Sequence, residues 1–256
     1  VKEGSQHDNS YFQHGVQLYI GGYGDEILKG TTQVAMYTQG TKYALSTEKI
    51  QLLSKFMRQT YYQAIRGKYM LFDVLGRGIS RKDITDKSAT ALFAERMAVL
   101  DPEHIEEYKA IIARLKDEQA ADYKLKPLHT HYFRGDYTLH VRPGYTFDVR
   151  TVSTRTMRCE YGNGENLKTY FMSDGCTNIV TQGNEYTNIF PAWNWRRIPG
   201  TTGHDPNGRE RLADSRNFHF CRRGVRQYLR SVRLCLHGQL CRCEYRSQKS
   251  LVLFRQ

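Results

Sequence analysis

The sequence lacks a membrane span, a signal peptide and any internal repeat. No stretch approaches the about 18 consecutive apolar residues that a transmembrane helix needs, so no contact with a membrane is predicted. The first residue is Val1 rather than methionine, and we therefore expect the chain to be part of a longer one. Under that expectation, the absence of a leader peptide says nothing about the cellular compartment.

Acidic residues are scarce at the carboxyl end. Residues 203–256 hold 12 Lys and Arg against 4 Asp and Glu, whereas residues 1–202 hold 26 against 22. Four of the six cysteines also lie after residue 203. The formal net charge of +12 is thus concentrated in the last fifth of the chain. It is therefore not an argument that the whole protein binds nucleic acid.

Residues 1–116 carry helical patterns, in which apolar side chains recur every three or four positions. A serine–threonine pair precedes the best-marked helix and can cap it, and an aspartate–proline pair precedes another. The first helix is predicted to begin at Ser46 or Thr47 and to end at Gly67, and the second to begin at Asp101-Pro102. Weaker helical patterns cover residues 26–39 and 84–98.

The pattern changes after a polar stretch, 117–130, which we interpret as a linker. From residue 131 to 202, apolar and polar residues alternate in short runs separated by glycine-containing turn signals, which predicts an antiparallel sheet. Helices followed by strands indicate two domains and an α+β fold. The clearest alternating runs are Tyr137, Leu139, Val141 and Tyr145, Phe147, Val149.

Three segments hold most of the residues that could carry chemistry. A histidine in a tyrosine-rich loop, a glycine-spaced arginine pair and a glutamate before an Asn-Gly turn each have an ordinary structural explanation. Together, His, Tyr, two Arg and Glu suit acid–base chemistry on an anionic substrate. The segments are 8–24 (DNSYFQHGVQLYIGGYG), 76–81 (GRGISR) and 155–166 (RTMRCEYGNGEN).

In this order, these segments resemble polysaccharide lyase family 8, and within it the chondroitin AC lyases. The resemblance spans about residues 5–202, and its longest stretch runs from residue 134 to 199: RGDYTLHVRPGYTFDVRTVSTRTMRCEYGNGENLKTYFMSDGCTNIV, then NEYTNIFPAWNWRRIP. It implies that the helical part is the end of an incomplete α/α toroid. The strands would then begin a large antiparallel β-sandwich of the galactose mutarotase-like type, with the cleft between the two domains.

The resemblance also implies β-elimination at a uronic acid and a role for each catalytic residue. His14 would help to neutralise the uronate carboxylate, and Tyr23 would act as general base and then as general acid. Arg77 would lie near the tyrosine and the leaving oxygen, and Glu160 would orient these groups from the β domain.

Arg81 and Asn163 are the substrate-binding residues that the same resemblance implies. It implies no cofactor and no catalytic metal, although it leaves open a calcium ion in a part of the β domain that is not in this chain. The family site also uses an asparagine from a helix that precedes this segment. We therefore expect the 256 residues by themselves to be inactive or barely active.

Residues 203–256 do not continue the resemblance as they stand. The segment 248–255, QKSLVLFR, can be encoded so that a one-base shift reads KKAWFFFD, and two upstream stretches behave in the same way under the same shift. The shifted strings resemble the next part of the chondroitin AC lyase sequence. We interpret this segment as an out-of-frame tail without a native fold, and its cysteines lack the paired C-x-x-C spacing of a zinc site.

The sequence thus predicts a bacterial carbon–oxygen lyase that acts on a glycosaminoglycan, with chondroitin sulfate as the favoured substrate and hyaluronan as the second. Hyaluronate or xanthan lyase specificity and a non-catalytic carbohydrate-binding fragment remain alternatives, while nucleic-acid binding depends on the tail alone. We expect an anionic polysaccharide as the partner, no nucleic acid or membrane partner, a monomeric parent enzyme, and secretion or a periplasmic location.

Overall fold

The computed structural model describes residues 3–201 together with the strand residues 232–234 and 249–251. Helices come first and a sheet follows, so the predicted α+β organisation is confirmed. Within the described part, the α-helices are α1 (Tyr23–Thr38), α2 (Thr47–Phe56), α3 (Ala91–Leu100) and α4 (Ile105–Leu115). The strands are β1 (Gly4–Ser5), β2 (Tyr11–Phe12), β3 (Ile65–Arg66), β4 (Tyr69–Met70), β5 (Leu128–Tyr132), β6 (Tyr137–Arg142), β7 (Tyr145–Arg150), β8 (Cys176–Val180), β9 (Val232–Leu234) and β10 (Lys249–Leu251).

Helix α2 begins as predicted but ends earlier than its apolar pattern suggests. The Ser46 side chain accepts a hydrogen bond from the main-chain N–H of Lys49 at 3.4 Å, as an N-cap does. After Phe56 the chain continues as a π-turn, Met57–Tyr61, and a 3-10 turn. The wider π-turn changes the spacing of side chains, and it places Tyr61 and the following tyrosine, both buried, in the core.

The other helices also differ from expectation at their ends. Proline at the start of the 3-10 turn Pro102–His104 leads into α4, as predicted. Helix α3 begins at Ala91, not at residue 84. The residues before it pair with the β3–β4 hairpin instead, since the N–H of Met70 donates to the carbonyl of Thr85 at 2.8 Å.

The sheet has the strand order β5-β6-β7-β8, and every neighbouring pair is antiparallel. The alternating runs do form β6 and β7, and their apolar residues are buried except for Tyr145, which is half-buried. The intervening residues of β7, Thr146, Asp148 and Arg150, are buried too, so both faces of this strand are covered. Strand β5 begins at Leu128, inside the stretch interpreted as a linker. Two histidines in β5, His129 and His131, made this strand look polar, although they pair in register with β6.

Buried cationic side chains join the helical and sheet domains. Arg66 of β3 donates to the main-chain carbonyls of Thr181 at 2.8 Å and Arg142 at 2.9 Å, and also to that of Pro143. In the opposite direction, Arg150 of β7 donates to a main-chain carbonyl of the helical domain. Main-chain groups of each domain thus find partners in the other, and this keeps the facing surfaces in register.

The interpretation of residues 203–256 as an out-of-frame tail falls outside the described residues, apart from the antiparallel pairing of β9 with β10. It stays a prediction. Among the residues that the structure describes, no helix combines the length and apolar character needed to cross a membrane.

Candidate active site

His14 lies at the tip of a tight loop between β2 and α1. A bridge between Phe12 and Leu18 closes the loop, and the N–H of Gln13 donates to the carbonyl of Gln17 at 3.2 Å. His14 itself has φ 56°, a left-handed conformation that is uncommon outside glycine. The loop thus holds the imidazole away from the helical core, with 41% of the side chain exposed.

Tyr23 is the first residue of α1, and its ring belongs to a cluster of three. The His14 and Tyr23 ring centroids are 4.5 Å apart in an edge-to-face arrangement, and those of Tyr19 and Tyr23 are 5.1 Å apart. Two glycines with positive φ, Gly22 and Gly76, make room for the Tyr19 ring. A Cβ atom on either glycine would lie within 2.6 Å and 2.3 Å, respectively, of that ring.

Arg77 projects from the 3-10 turn Gly76–Ser80, whose first residue is the glycine that makes room for the Tyr19 ring. Its Nη2 donates to the Tyr23 hydroxyl at 3.3 Å, and its Nη1 donates to Glu160 Oε1 at 2.8 Å. Its guanidinium carbon also lies 5.6 Å from the centre of the Tyr23 ring. Arg77 thus places a fixed positive charge beside the Tyr23 hydroxyl.

Glu160 reaches this group from the segment between β7 and β8. The segment is anchored to the His14 loop, because the N–H of Met157 donates to the carbonyl of Val16 at 3.1 Å. The Asn166 side chain donates to the main-chain carbonyl of Glu160 and thereby closes the following turn. The Glu160 carboxylate binds His14 Nδ1 and, through Oε2, the main-chain N–H of Arg77 at 3.1 Å.

These contacts fix the hydrogen-bonding roles of the imidazole. Nδ1 of His14 lies against the Glu160 carboxylate, which can only accept, so Nδ1 carries a hydrogen. No hydrogen bond within residues 3–201 uses His14 Nε2, which leaves that nitrogen for a substrate. A carboxylate that orients a histidine in this way is a common feature of acid–base sites.

The pKa shifts follow from the same contacts. Burial opposes the charge on Glu160, but hydrogen bonds from His14, the Arg77 main chain and Tyr19 outweigh burial and leave its pKa below the ordinary value. Burial, together with the Glu160 charge, raises the pKa of Tyr19, which therefore stays protonated beside the carboxylate. The hydrogen bond with Tyr23, followed by the Glu160 charge, raises the pKa of Arg77.

Arg81 lies at the exposed edge of the site and is held by a second carboxylate. Its Nε and Nη2 donate to the two oxygens of Glu165 at 2.7 Å and 3.0 Å, a bidentate geometry. Glu165 Oε2 also lies 3.3 Å from Arg77 Nε. The hydrogen bond to Arg81 lowers the pKa of Glu165, so the carboxylate is ionised and links the two arginines.

Asn163 is near this group in sequence, but in the described part of the chain its side chain is not hydrogen-bonded to the group. It is exposed, has φ 54° and forms a tight turn with Gly164, closed by a bridge between Gly162 and Glu165. None of the hydrogen bonds described within residues 3–201 involves its side chain. The structure therefore places Asn163 at the rim, where its role in substrate binding stays a prediction.

The structure thus brings together His14, Tyr23, Arg77 and Glu160, and it places Arg81 beside them. Tyr19 and Glu165, which complete the cluster, were not predicted from the sequence. Glu165 carried a weak signal, because it stands directly after the Asn-Gly turn. Tyr19 carried none, since a buried tyrosine is ordinarily read as core.

Two models of one family match the chain. The family model described as "Polysaccharide lyase family 8, N terminal alpha-helical domain" matches residues 1–114, and the one described as "Polysaccharide lyase family 8, super-sandwich domain" matches residues 127–227. The chain belongs to polysaccharide lyase family 8, and its two domains are the helical and the sandwich domain of that family.

Within the family, the chain is similar to chondroitinase-AC of Pedobacter heparinus. The two are 48% identical over 204 residues, which is 80% of this chain and 29% of the relative. A solved chondroitinase AC lyase structure, determined with oligosaccharide complexes and mutagenesis, superposes with a TM-score of 0.78 at 48% identity, over 80% of this chain and 30% of that one. Hyaluronate lyase of Thermasporomyces composti is 27% identical over 235 residues, covering 78% of this chain and 30% of the relative. The chain thus spans less than a third of the length of these relatives.

Proposed function

We propose that the protein to which this chain belongs is a polysaccharide lyase that cleaves glycosaminoglycans, chondroitin sulfate first, by β-elimination at the uronic acid. The main support for the proposal is that a single arginine is hydrogen-bonded to two groups of the site. Arg77 donates both to the Tyr23 hydroxyl and to the carboxylate that orients His14. A base, a cation and an oriented imidazole are thereby assembled from two domains.

Elimination removes the C5 proton of the uronate and expels the glycosidic oxygen at C4. Tyr23 takes the proton as the phenolate, which the Arg77 guanidinium 3.3 Å away stabilises. Tyr23 then returns a proton to the leaving oxygen. The electron pair of the C5–H bond forms the new C4–C5 double bond, so no cofactor is needed for the balance of the step.

The uronate carboxylate must be neutralised for its neighbouring C5 proton to become acidic. In the proposed step His14 acts as the imidazolium, in which both ring nitrogens donate: Nδ1–H donates to Glu160, and Nε2–H donates to the uronate carboxylate. Because the buried Glu160 is itself fixed by His14 and Arg77, it needs little reorganisation as charge develops on the substrate. Arg81 and Asn163 would contact the sugar chain at the exposed edge.

Chondroitin is the proposed substrate because the 48% identical relative is named a chondroitinase-AC, and hyaluronan is the second choice because a more distant relative is named a hyaluronate lyase. Such polymers are too large to cross a membrane, so we propose that the bacterial parent enzyme is secreted or periplasmic. We further propose that it acts as a monomer, with no cofactor at this site.

The test uses the longest open reading frame that contains this sequence. Turnover of chondroitin sulfate, hyaluronan and xanthan is followed by the ultraviolet absorbance of the unsaturated uronate. Tyr23→Phe should lower turnover by roughly 10²-fold or more, the typical contribution of a general base. It should leave oligosaccharide binding, measured by calorimetry, within about twofold of wild type, which is under 0.5 kcal/mol.

Tyr37→Phe is the matched control, because Tyr37 lies on the same helix, is 76% exposed and is remote from the site in the fold. It should leave turnover unchanged. The 256-residue chain is assayed beside the longer protein and should show little or no turnover. Retained binding without turnover of any of the three polymers by the wild-type longer protein would instead support a non-catalytic carbohydrate-binding function.

A further inference from the structure

A buried pair of carboxyl groups lies where the turn that carries Arg77 meets the sheet. Asp73 belongs to the 3-10 turn Phe72–Val74, which leads directly into the Arg77 turn. Asp148 lies in the middle of β7. Both residues are 0% exposed, and each carboxyl group affects the pKa of the other, so the two are neighbours. Two neighbouring carboxyl groups can hydrogen-bond to each other only if one of them is protonated.

The hydrogen-bond donors around the pair show which carboxyl keeps the proton. Asp148 accepts from the Tyr137 hydroxyl at 2.7 Å and from Asn178 twice, through the main-chain N–H at 3.0 Å and through Nδ2 at 2.6 Å. Among residues 3–201, no donor contacts either oxygen of Asp73. An ionised Asp73 would therefore be a buried charge without a hydrogen-bond donor, whereas an ionised Asp148 accepts hydrogen bonds from three donors.

The charge balance of the site leads to the same assignment. Arg150 is the buried cation of the cluster, with 1% exposure, and it donates to the main-chain carbonyl of Asp73 rather than to its carboxyl group. Within the described residues, no ion pair of 4.0 Å or less joins Arg150 to either aspartate. One proton on the pair makes the buried group neutral overall, while two ionised aspartates would leave an uncompensated negative charge in a dry site.

We propose that Asp73 is a positioning residue. It keeps its proton in the folded protein at neutral pH and donates it to the ionised Asp148, which fixes the turn that carries Arg77 on the sheet. Only the consequence for catalysis rests on the proposed function, because the protonation of Asp73 can be measured without any substrate.

The other groups that face the pair are consistent with this assignment. Burial, followed by the charge of Asp148, raises the pKa of Asp73 well above its ordinary value, against the opposing effect of Arg150. Burial also raises the pKa of Asp148, to about 6, against its hydrogen bonds from Tyr137 and Asn178. The remaining titratable neighbours keep their protons at neutral pH, because burial raises the pKa of each: Tyr137 on β6, Cys176 on β8 and Tyr186 on the turn that follows β8.

The first test is urea unfolding of the 256-residue chain between pH 4.5 and 7.5, comparing wild type with Asp73→Asn. The folded wild type holds a proton that the unfolded chain releases above pH of about 4, so its stability falls as the pH rises. Asparagine donates a hydrogen bond to Asp148 without taking up a proton. The ratio of the folding constants, variant over wild type, should therefore rise tenfold per pH unit until Asp73 ionises in the folded state.

Asp122→Asn is the matched control, because it makes the same chemical change at an exposed aspartate. Its ratio to wild type should stay flat over this pH range. A flat ratio for Asp73→Asn as well would overturn the proposal, since Asp73 would then titrate alike in the folded and unfolded chain.

Two further measurements keep the proposal testable if Asp73→Asn does not fold. The infrared carbonyl band of a protonated aspartic acid, identified by ¹³C-aspartate labelling, should be present in the folded wild type at neutral pH, and its absence would refute the assignment. Asp148→Asn should lose this band, because Asp73 then has to ionise to balance Arg150. The Arg77 Nε signal in NMR should be alike in wild type and Asp73→Asn but shifted in Asp73→Leu, and an unshifted signal would refute the positioning role.

Discussion

Arg66 offers the sharpest test of how the two domains are held together. It is 2% exposed, burial lowers the pKa of its guanidinium, and it donates to three main-chain carbonyls of the sheet domain. Arg66→Met keeps the length and apolar stem of the side chain but removes every donor. Hydrogen bonds from a charged donor contribute about 1.5–3 kcal/mol each, and the regained hydration of the guanidinium offsets part of that sum.

We expect Arg66→Met to lower the free energy of unfolding by about 3–5 kcal/mol, because three carbonyls lose their donor at about 1–3 kcal/mol each and the relief of guanidinium burial offsets part of that loss. Urea unfolding is followed by circular dichroism for the helices and by fluorescence for Trp193 and Trp195, which lie beyond β8. The two transitions should coincide in wild type and separate in the variant, because the sheet domain loses its attachment to β3.

Arg96→Met is the matched control for this substitution. Arg96 donates to the carbonyl of Lys29 at 3.2 Å and to the hydroxyl of Thr32 at 3.3 Å, both within the helical domain. Its replacement should cost about 1 kcal/mol or less and keep the transitions together. If the free energies of unfolding of Arg66→Met and Arg96→Met differ by less than about 0.5 kcal/mol, the proposed role of Arg66 at the domain junction is wrong.

Two further predictions concern the site. Gly76→Ala places a Cβ 2.3 Å from the Tyr19 ring at φ 55°, so it should lower the free energy of unfolding in urea by at least about 2 kcal/mol. Gly30→Ala is the control: Gly30 lies in the middle of α1 with open space around it, so the change should raise the free energy of unfolding by about 0.5–1 kcal/mol. Effects of the same sign for the two variants would contradict this account. The lowered pKa of Glu165 means that its pairing with Arg81 stabilises the fold above the unfolded pKa of about 4.3 and is lost as the pH falls through the lowered value. The Tm difference between wild type and Glu165→Gln should therefore be largest near neutral pH, vanish in acid and shrink with added salt, and a difference that persists in strong acid would exclude this ion pair as its cause.

The parts of the fold that were predictable from the sequence depend on neighbours in the chain. Ser46 caps α2 through a main-chain group three residues away, and the alternation in β6 and β7 follows from the two faces of a strand. The residue types of the acid–base group were also visible, and the resemblance of their segments to polysaccharide lyase family 8 supplied the order in which they act. Local rules failed at β5, whose polar residues hid a strand, and at α3, whose predicted first turn pairs with the β3–β4 hairpin instead.

Only the tertiary structure determined which polar and charged groups contact each other. His14 and Glu160 are 146 residues apart, and Arg66 and Thr181 are 115 apart, so no periodicity or spacing could pair them. Nothing in the sequence singled out Tyr19, Asp73 or Asp148. Their roles arise only in the folded chain, because a buried polar group must find its partner, or its proton, inside the protein once water has been excluded.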